Sequence, residues 1–91
     1  MAELTVLVRY RGRVQGVGFR ATVRGVAAGF AVRGWVQNEM DGSVSMIASG
    51  EAAVVEAFLE AVRRSRLGDL IDQETRESSP RPAGEGFNVR A

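Results

Sequence analysis

Hydrophobic periodicity along the chain predicts an α+β fold, with two helices on one face of an antiparallel sheet. Three observations carry this. Segments of period 2 alternate with two segments of helical period, in the order strand, helix, strand, strand, helix, strand, short strand. Glycine-rich and Asp-Gly breaks separate them. Finally, 91 residues fit one domain, 1–91, without an internal repeat or linker. A domain of this size buries only about 60–65% of its unfolded surface, which favours an economical two-layer design.

Leu4 to Arg11 alternates, with Val6, Val8 and Tyr10 on one face and Thr5, Arg9 and Arg11 on the other, so it reads as a half-buried strand. Gly12 to Gly18 reads as a loop. From Phe19 the period lengthens: Phe19, Val23, Val26, Ala27 and Phe30 share one helical face. Gly25 and Gly29 interrupt that helix, either to pack closely on the sheet or, for Gly29, to end it. Ala31 to Asn38 returns to strand chemistry, Asp41-Gly42 signals a hairpin, and Ser43 to Ser49 is the partner strand, with Val44, Met46 and Ala48 on one face. Gly50 is expected to break that strand. Glu51 to Arg66 is an amphipathic helix carrying Val54, Val55, Phe58, Leu59 and Val62. Leu67 to Glu77 is weakly patterned and is read as a strand. Ser78 to Gly86, with Pro80 and Pro82, is a loop, and Phe87 to Arg90 a final strand. This order, βαββαβ plus a short C-terminal strand, is that of a ferredoxin-like split β-α-β sandwich.

Composition narrows the chemistry. The chain has no cysteine and no histidine, so disulfides, thiolate nucleophiles, imidazole bases and the usual zinc ligands are all excluded. No metal and no cofactor are expected. Met1-Ala2-Glu3-Leu4 lacks the apolar core of a signal peptide and no apolar run would span a membrane, so the cytoplasm is the expected compartment. A monomer is expected, although no residue pattern fixes the oligomeric state. The net charge is +1, unevenly spread. Residues 1–38 hold six arginines against one acid, and residues 39–91 hold six against ten. A basic N-terminal half suits an anionic ligand, but charge alone favours chance surface charge as the explanation.

The informative stretch is Gly12-Arg13-Val14-Gln15-Gly16-Val17-Gly18-Phe19-Arg20. It runs from a strand through a loop into a helix start, where backbone N–H groups lack intrahelical partners. Gly16 and Gly18 can take positive φ and let those groups converge, and Arg20 adds a planar, permanently charged fork. These are the parts of a phosphate cradle; they also suit a turn that merely reverses the chain. In Gly34-Trp35-Val36-Gln37-Asn38-Glu39-Met40-Asp41-Gly42-Ser43-Val44, Asn38 taken alone reads best as a turn cap. Topology brings the two stretches together. In a split β-α-β unit the first two strands are parallel, with the third between them. Their C-terminal ends share one sheet edge, about 10 Å apart.

Both stretches are similar to the two signatures of the acylphosphatase family: Gly12 to Arg20 to the first, and Gly34 to Asn38 with Asp41-Gly42-Ser43-Val44 and Gly50 to the second. Phe87-Asn88-Val89-Arg90 resembles that family's last strand. The resemblance implies hydrolysis of a small-molecule acyl phosphate without metal. It implies that Arg20 and the N–H groups of Gln15, Gly16, Val17, Gly18 and Phe19 bind phosphate, and that Asn38 positions the attacking water. Inorganic phosphate would be product and inhibitor. The chain departs from the family pattern at Ser65-Arg66, in place of Gly-Pro, at Glu74, in place of an apolar residue, and at Ala21-Thr22, where bulkier residues are common.

Little machinery is needed for that reaction. A carboxylate leaves as its anion without protonation, and a loose phosphoryl transition state asks mainly for positioning and charge stabilisation. Two other readings stand beside it. A phosphate-sensing module could share the fold. RNA binding would need exposed aromatics on the central strand, and Ser43 to Ala48 has none, so no nucleic-acid partner is expected.

Overall fold

In order, the chain forms β1 (Glu3–Gly12), α1 (Phe19–Ala27), β2 (Arg33–Asn38), β3 (Val44–Glu51), α2 (Ala52–Arg64), a 3-10 helix (Arg66–Leu70), β4 (Ile71–Ser78) and β5 (Phe87–Arg90). The structure is a computed structural model that describes residues 2–79 and 81–90; Met1, Pro80 and Ala91 lie outside the described residues. The five strands make one sheet in the order β4-β1-β3-β2-β5. β3 is antiparallel to both β1 and β2, which therefore run parallel to each other and end at the same edge.

The expected antiparallel pattern holds for four strands and changes at the fifth, because β5 pairs parallel with β2. The reason is where β4 finishes. Ser78 pairs with Val6, near the start of β1, at the end of the sheet where β2 begins. The segment after β4 crosses the sheet at that end, with Ser79 N–H on the Thr5 carbonyl (2.9 Å) and Ala83 N–H on Ser49 Oγ (2.8 Å). A strand that starts there and lies beside β2 must run the same way.

Alternation places Val6, Val8 and Tyr10 of β1 and Val44, Met46 and Ala48 of β3 in the core, as the sequence predicts. Phe19, Val23 and Ala27 of α1 and Val55, Phe58, Leu59 and Val62 of α2 meet them from one side. Burying each large apolar side chain contributes about 1.5–3 kcal/mol, and this pins both helices to the sheet.

The boundaries differ in physically readable ways. α1 stops at Ala27, so Gly29 lies just past its end, although Phe30 still packs on the core at 5.9 Å from Phe58. Gly25 is exposed with open space above it and is not a close-packing point. Gly50 does not break β3; it pairs with Leu4, and a Cβ there would stand 2.8 Å from the Ala31 carbonyl. α2 ends at Arg64 rather than Arg66. Ser65 Oγ accepts from Leu67 N–H (3.1 Å) and starts the 3-10 helix, so β4 begins at Ile71 rather than Leu67. β4 docks on α2 partly through charge: Arg76 forks onto Glu56 (2.7 and 2.6 Å), and Glu74 receives Arg63 Nε (3.2 Å).

Candidate active site

The edge where β1 and β2 end carries the loop from Arg13 to Gly18. Three ties fix it. Arg13 N–H donates to the Leu70 carbonyl (2.9 Å), the Val14 side chain is fully buried, and Gln15 Nε2 donates to the carbonyls of Glu39 (2.7 Å) and Ser43 (2.9 Å). Gly16 (φ 75°) and Gly18 (φ 76°) take the left-handed conformation on either side of Val17. That conformation costs a residue with a Cβ roughly 1–2 kcal/mol, which accounts for the glycines. α1 then starts, anchored by Phe19, whose ring packs on Tyr10 at 5.3 Å. The first helical hydrogen bond runs from Thr22 N–H to the Gly18 carbonyl. Among the described residues, no acceptor meets the N–H groups from Gln15 to Arg20. They form an open row of donors at the positive end of the helix dipole.

A pocket of about 190 Å³ lies over this row. Gly16, Gly18, Phe19 and Arg20 line it from the loop and helix start, and Asn38 lines it from the end of β2. The half-buried Arg20 donates from Nη1 to the Arg90 carbonyl at 2.5 Å, and among the described residues no carboxylate neutralises it. Asn38 pairs with Val44 through the ladder, and its Oδ1 is buried with no hydrogen-bond donor among the described residues. A buried acceptor left so costs about 1–3 kcal/mol. The pocket thus brings Arg20 and the glycine loop together with Asn38, whose Oδ1 is unmatched among the described residues.

Five of the sequence-predicted residues therefore meet at one pocket. The other two, Gln15 and Val17, do not line it. The Gln15 amide is spent on the hairpin that bears Asn38, and the Val17 side chain points outward, 37% exposed. Val14, Ala21 and Val89 complete the lining and escaped the sequence reading, as did the Arg90 carbonyl. Val89 and Arg90 could not be placed without knowing that β5 joins β2, and a four-residue strand carries no pattern that names its neighbour.

The nearby titratable groups leave the pocket without a proton donor. The Gln37 amide, then the Ser45 hydroxyl, hold the Glu39 carboxyl below its ordinary range. The Ser43 hydroxyl and N–H hold Asp41 down to about 2. Both carboxylates are ionised at neutral pH, and neither lines the pocket. Burial pushes the Tyr10 hydroxyl up, so it stays neutral. Among the described residues no three acids gather as a metal site would need.

Comparison with known proteins agrees with this geometry. The sequence model of the acylphosphatase family matches residues 6–89. An acylphosphatase of Rhizobium etli is 49% identical over 66 residues, covering 72% of this chain and 70% of the relative. One of Salinibacter ruber is 42% identical over 91 residues, covering 97% and 94%. The crystal structure of an acylphosphatase from Bacillus subtilis superposes with a TM-score of 0.85 at 31% identity, covering 97% of this chain and 99% of that one.

Proposed function

The chain belongs to the acylphosphatase family and hydrolyses acyl phosphates, and on that premise we propose that Arg20 and the N–H groups of Gln15 to Phe19 hold the substrate phosphate while Asn38 holds the attacking water. One observation carries this reading: Gly16, Gly18, Phe19 and Arg20 line a single pocket together with Asn38, whose Oδ1 has no donor among the described residues.

In the reaction, water donates a hydrogen bond to Asn38 Oδ1 and its oxygen attacks phosphorus. The bond from phosphorus to the acyl oxygen breaks, and its electron pair leaves on the carboxylate. The water's proton passes to a phosphate oxygen. Charge on the phosphoryl oxygens is met by Arg20 and the loop amides, which are in place beforehand and need no rearrangement. To bind, the phosphate takes over the Arg20 donor that rests on the Arg90 carbonyl. Bound water held in line turns an encounter into a positioned attack. A carboxylic acid of pKa near 4 leaves unaided, so the pocket's lack of a proton donor is compatible with this substrate and unsuited to an alkyl phosphate.

Residues 1–91 are read here as one functional domain, and inorganic phosphate as product and competing inhibitor. A monomer is part of the same proposal. No helix among the described residues is long and apolar enough to cross a membrane. Acyl phosphates are charged and hydrolyse spontaneously, so an enzyme acting on them works where they arise, which supports the cytoplasm. Neither nucleic acid nor a cofactor enters the reading.

The test is steady-state hydrolysis of benzoyl phosphate and of an alkyl phosphate monoester, with inorganic phosphate as competitor. Turnover of the first, little of the second and competitive inhibition are expected. Comparable kcat/KM on both would mean a proton donor exists and would overturn the mechanism.

A further inference from the structure

A second arginine touches the loop from behind. Arg66, at the start of the 3-10 helix, reaches across to the beginning of α1. Its Nη2 donates to Thr22 Oγ1 at 2.8 Å and to the Val17 carbonyl at 3.3 Å. The same nitrogen stands 3.2 Å from where a Cβ on Gly18 would be. Among the described residues no carboxylate pairs with Arg66, so its charge is directed at these two neutral oxygens. Arg66 does not line the pocket, whereas Gly18 does.

The Val17 carbonyl and the Gly18 N–H belong to one peptide unit. In a planar trans peptide these two groups point in opposite directions. A guanidinium that holds the carbonyl on the outer side therefore turns the N–H away from itself, toward the pocket that Gly18 lines. Glycine at 18 leaves that peptide free to rotate, because both left-handed and right-handed backbone are open to it. An external contact is needed to choose one orientation. Charge on the guanidinium also polarises the carbonyl and strengthens the N–H as a donor.

We propose that Arg66 is a positioning residue: through the Val17 carbonyl it fixes the peptide plane whose N–H, at Gly18, receives a substrate phosphate oxygen. This rests on the reading of the loop as a phosphate cradle. Arg66 touches neither substrate nor water. Thr22 serves as the second anchor that keeps the long side chain in place, so the pair acts as a unit.

The test compares wild type with Arg66→Ala, Arg66→Lys and Thr22→Val, measuring kcat and KM for benzoyl phosphate, Ki for inorganic phosphate and the urea midpoint, at low salt and in 0.5 M NaCl, where the Debye length falls to about 4 Å. Arg66→Ala is expected to raise phosphate Ki about fivefold and lower kcat/KM about tenfold or more, because the aimed N–H meets more charge in the transition state. The loss should persist in salt. Arg66→Lys should recover part of it, and Thr22→Val should show a milder loss of the same kind without adding to Arg66→Ala in the double variant. Unchanged Ki and kcat/KM in Arg66→Ala, while wild type is inhibited by phosphate, would overturn the proposal and leave the cradle standing. So would a shift in the urea midpoint alone, or a loss that salt abolishes, which would mark a general field. If phosphate does not inhibit wild type at all, the cradle reading fails and this proposal fails with it.

Discussion

At the scale of residues, the proposed roles give two side chains on one pocket different duties, and substitution separates them. In that proposal Arg20 meets the phosphate in ground and transition states alike. Arg20→Ala should therefore raise phosphate Ki and lower kcat together, with poor rescue by lysine, which keeps the charge and loses the fork. Asn38→Ala should lower kcat about 10²-fold or more and leave phosphate inhibition nearly unchanged, since a positioning contact to water is lost and the cradle is not. Steady-state kinetics with a phosphate titration check both, with circular dichroism as the folding control. An Asn38→Ala enzyme at near wild-type rate would make Asn38 a turn residue only. Arg20 is legible as a candidate because glycine spacing, a strand-to-helix turn and an arginine at its end are local signals, whereas Asn38 alone reads as a turn cap and becomes a candidate through topology and the family resemblance. The sequence did not show that Gln15 ties the loop to the hairpin, nor that Thr22 and Arg66, two of its departures from the family pattern, meet each other at 2.8 Å. Contacts over 24 to 44 residues leave no trace in local periodicity.

At the scale of elements, the hairpin between β2 and β3 and the docking of β4 on α2 are each held by charge. Asp41 accepts from the Ser43 N–H (3.0 Å) and hydroxyl (2.6 Å), and Gly42 closes the turn with φ 92°. These bonds hold the Asp41 carboxyl down to about 2, well below its unfolded value. A carboxylate depressed in this way adds stability that is complete above its unfolded pKa, near 4, and disappears as pH falls through about 2. The gap in urea midpoint between wild type and Asp41→Asn should accordingly close between about pH 5 and pH 2. A gap that stays constant would mean these bonds do not favour the charged form. In β4, Glu74 stands opposite Tyr10 with its side chain only 16% exposed. Its Arg63 partner also has Glu60 at 2.8 Å. Glu74→Leu should leave the urea midpoint unchanged or raise it, because a desolvated carboxylate is removed and Arg63 keeps a partner. A clear fall would show that the Glu74 pair is worth more than its desolvation. Periodicity identified β1, β2, β3 and both helices. It failed at residues 66–70, where Ser65 nucleates a 3-10 helix, and was weak in β4, whose charged inner face hides the alternation that marks a buried strand.

At the scale of the molecule, the composition itself makes a prediction. Without cysteine or histidine, and with no acid cluster among the described residues, the reaction is expected to proceed without metal. Hydrolysis of benzoyl phosphate should be the same in EDTA as in its absence. Loss on chelation, restored by Mg²⁺ or Zn²⁺, would require a ligand set elsewhere. The sheet order has a consequence of another kind. Arg20 follows β1 and Asn38 ends β2, yet the strand that joins β1 to β2 in space is β3, which comes after both in the chain. Until residues 44–51 slide between their neighbours, the proposed phosphate loop and the Asn38 amide are strangers. A nascent chain can therefore carry both reactive residues and still be inert on the ribosome. It acquires its chemistry only when the central strand has emerged and paired on both sides, so that first turnover announces a seated β3.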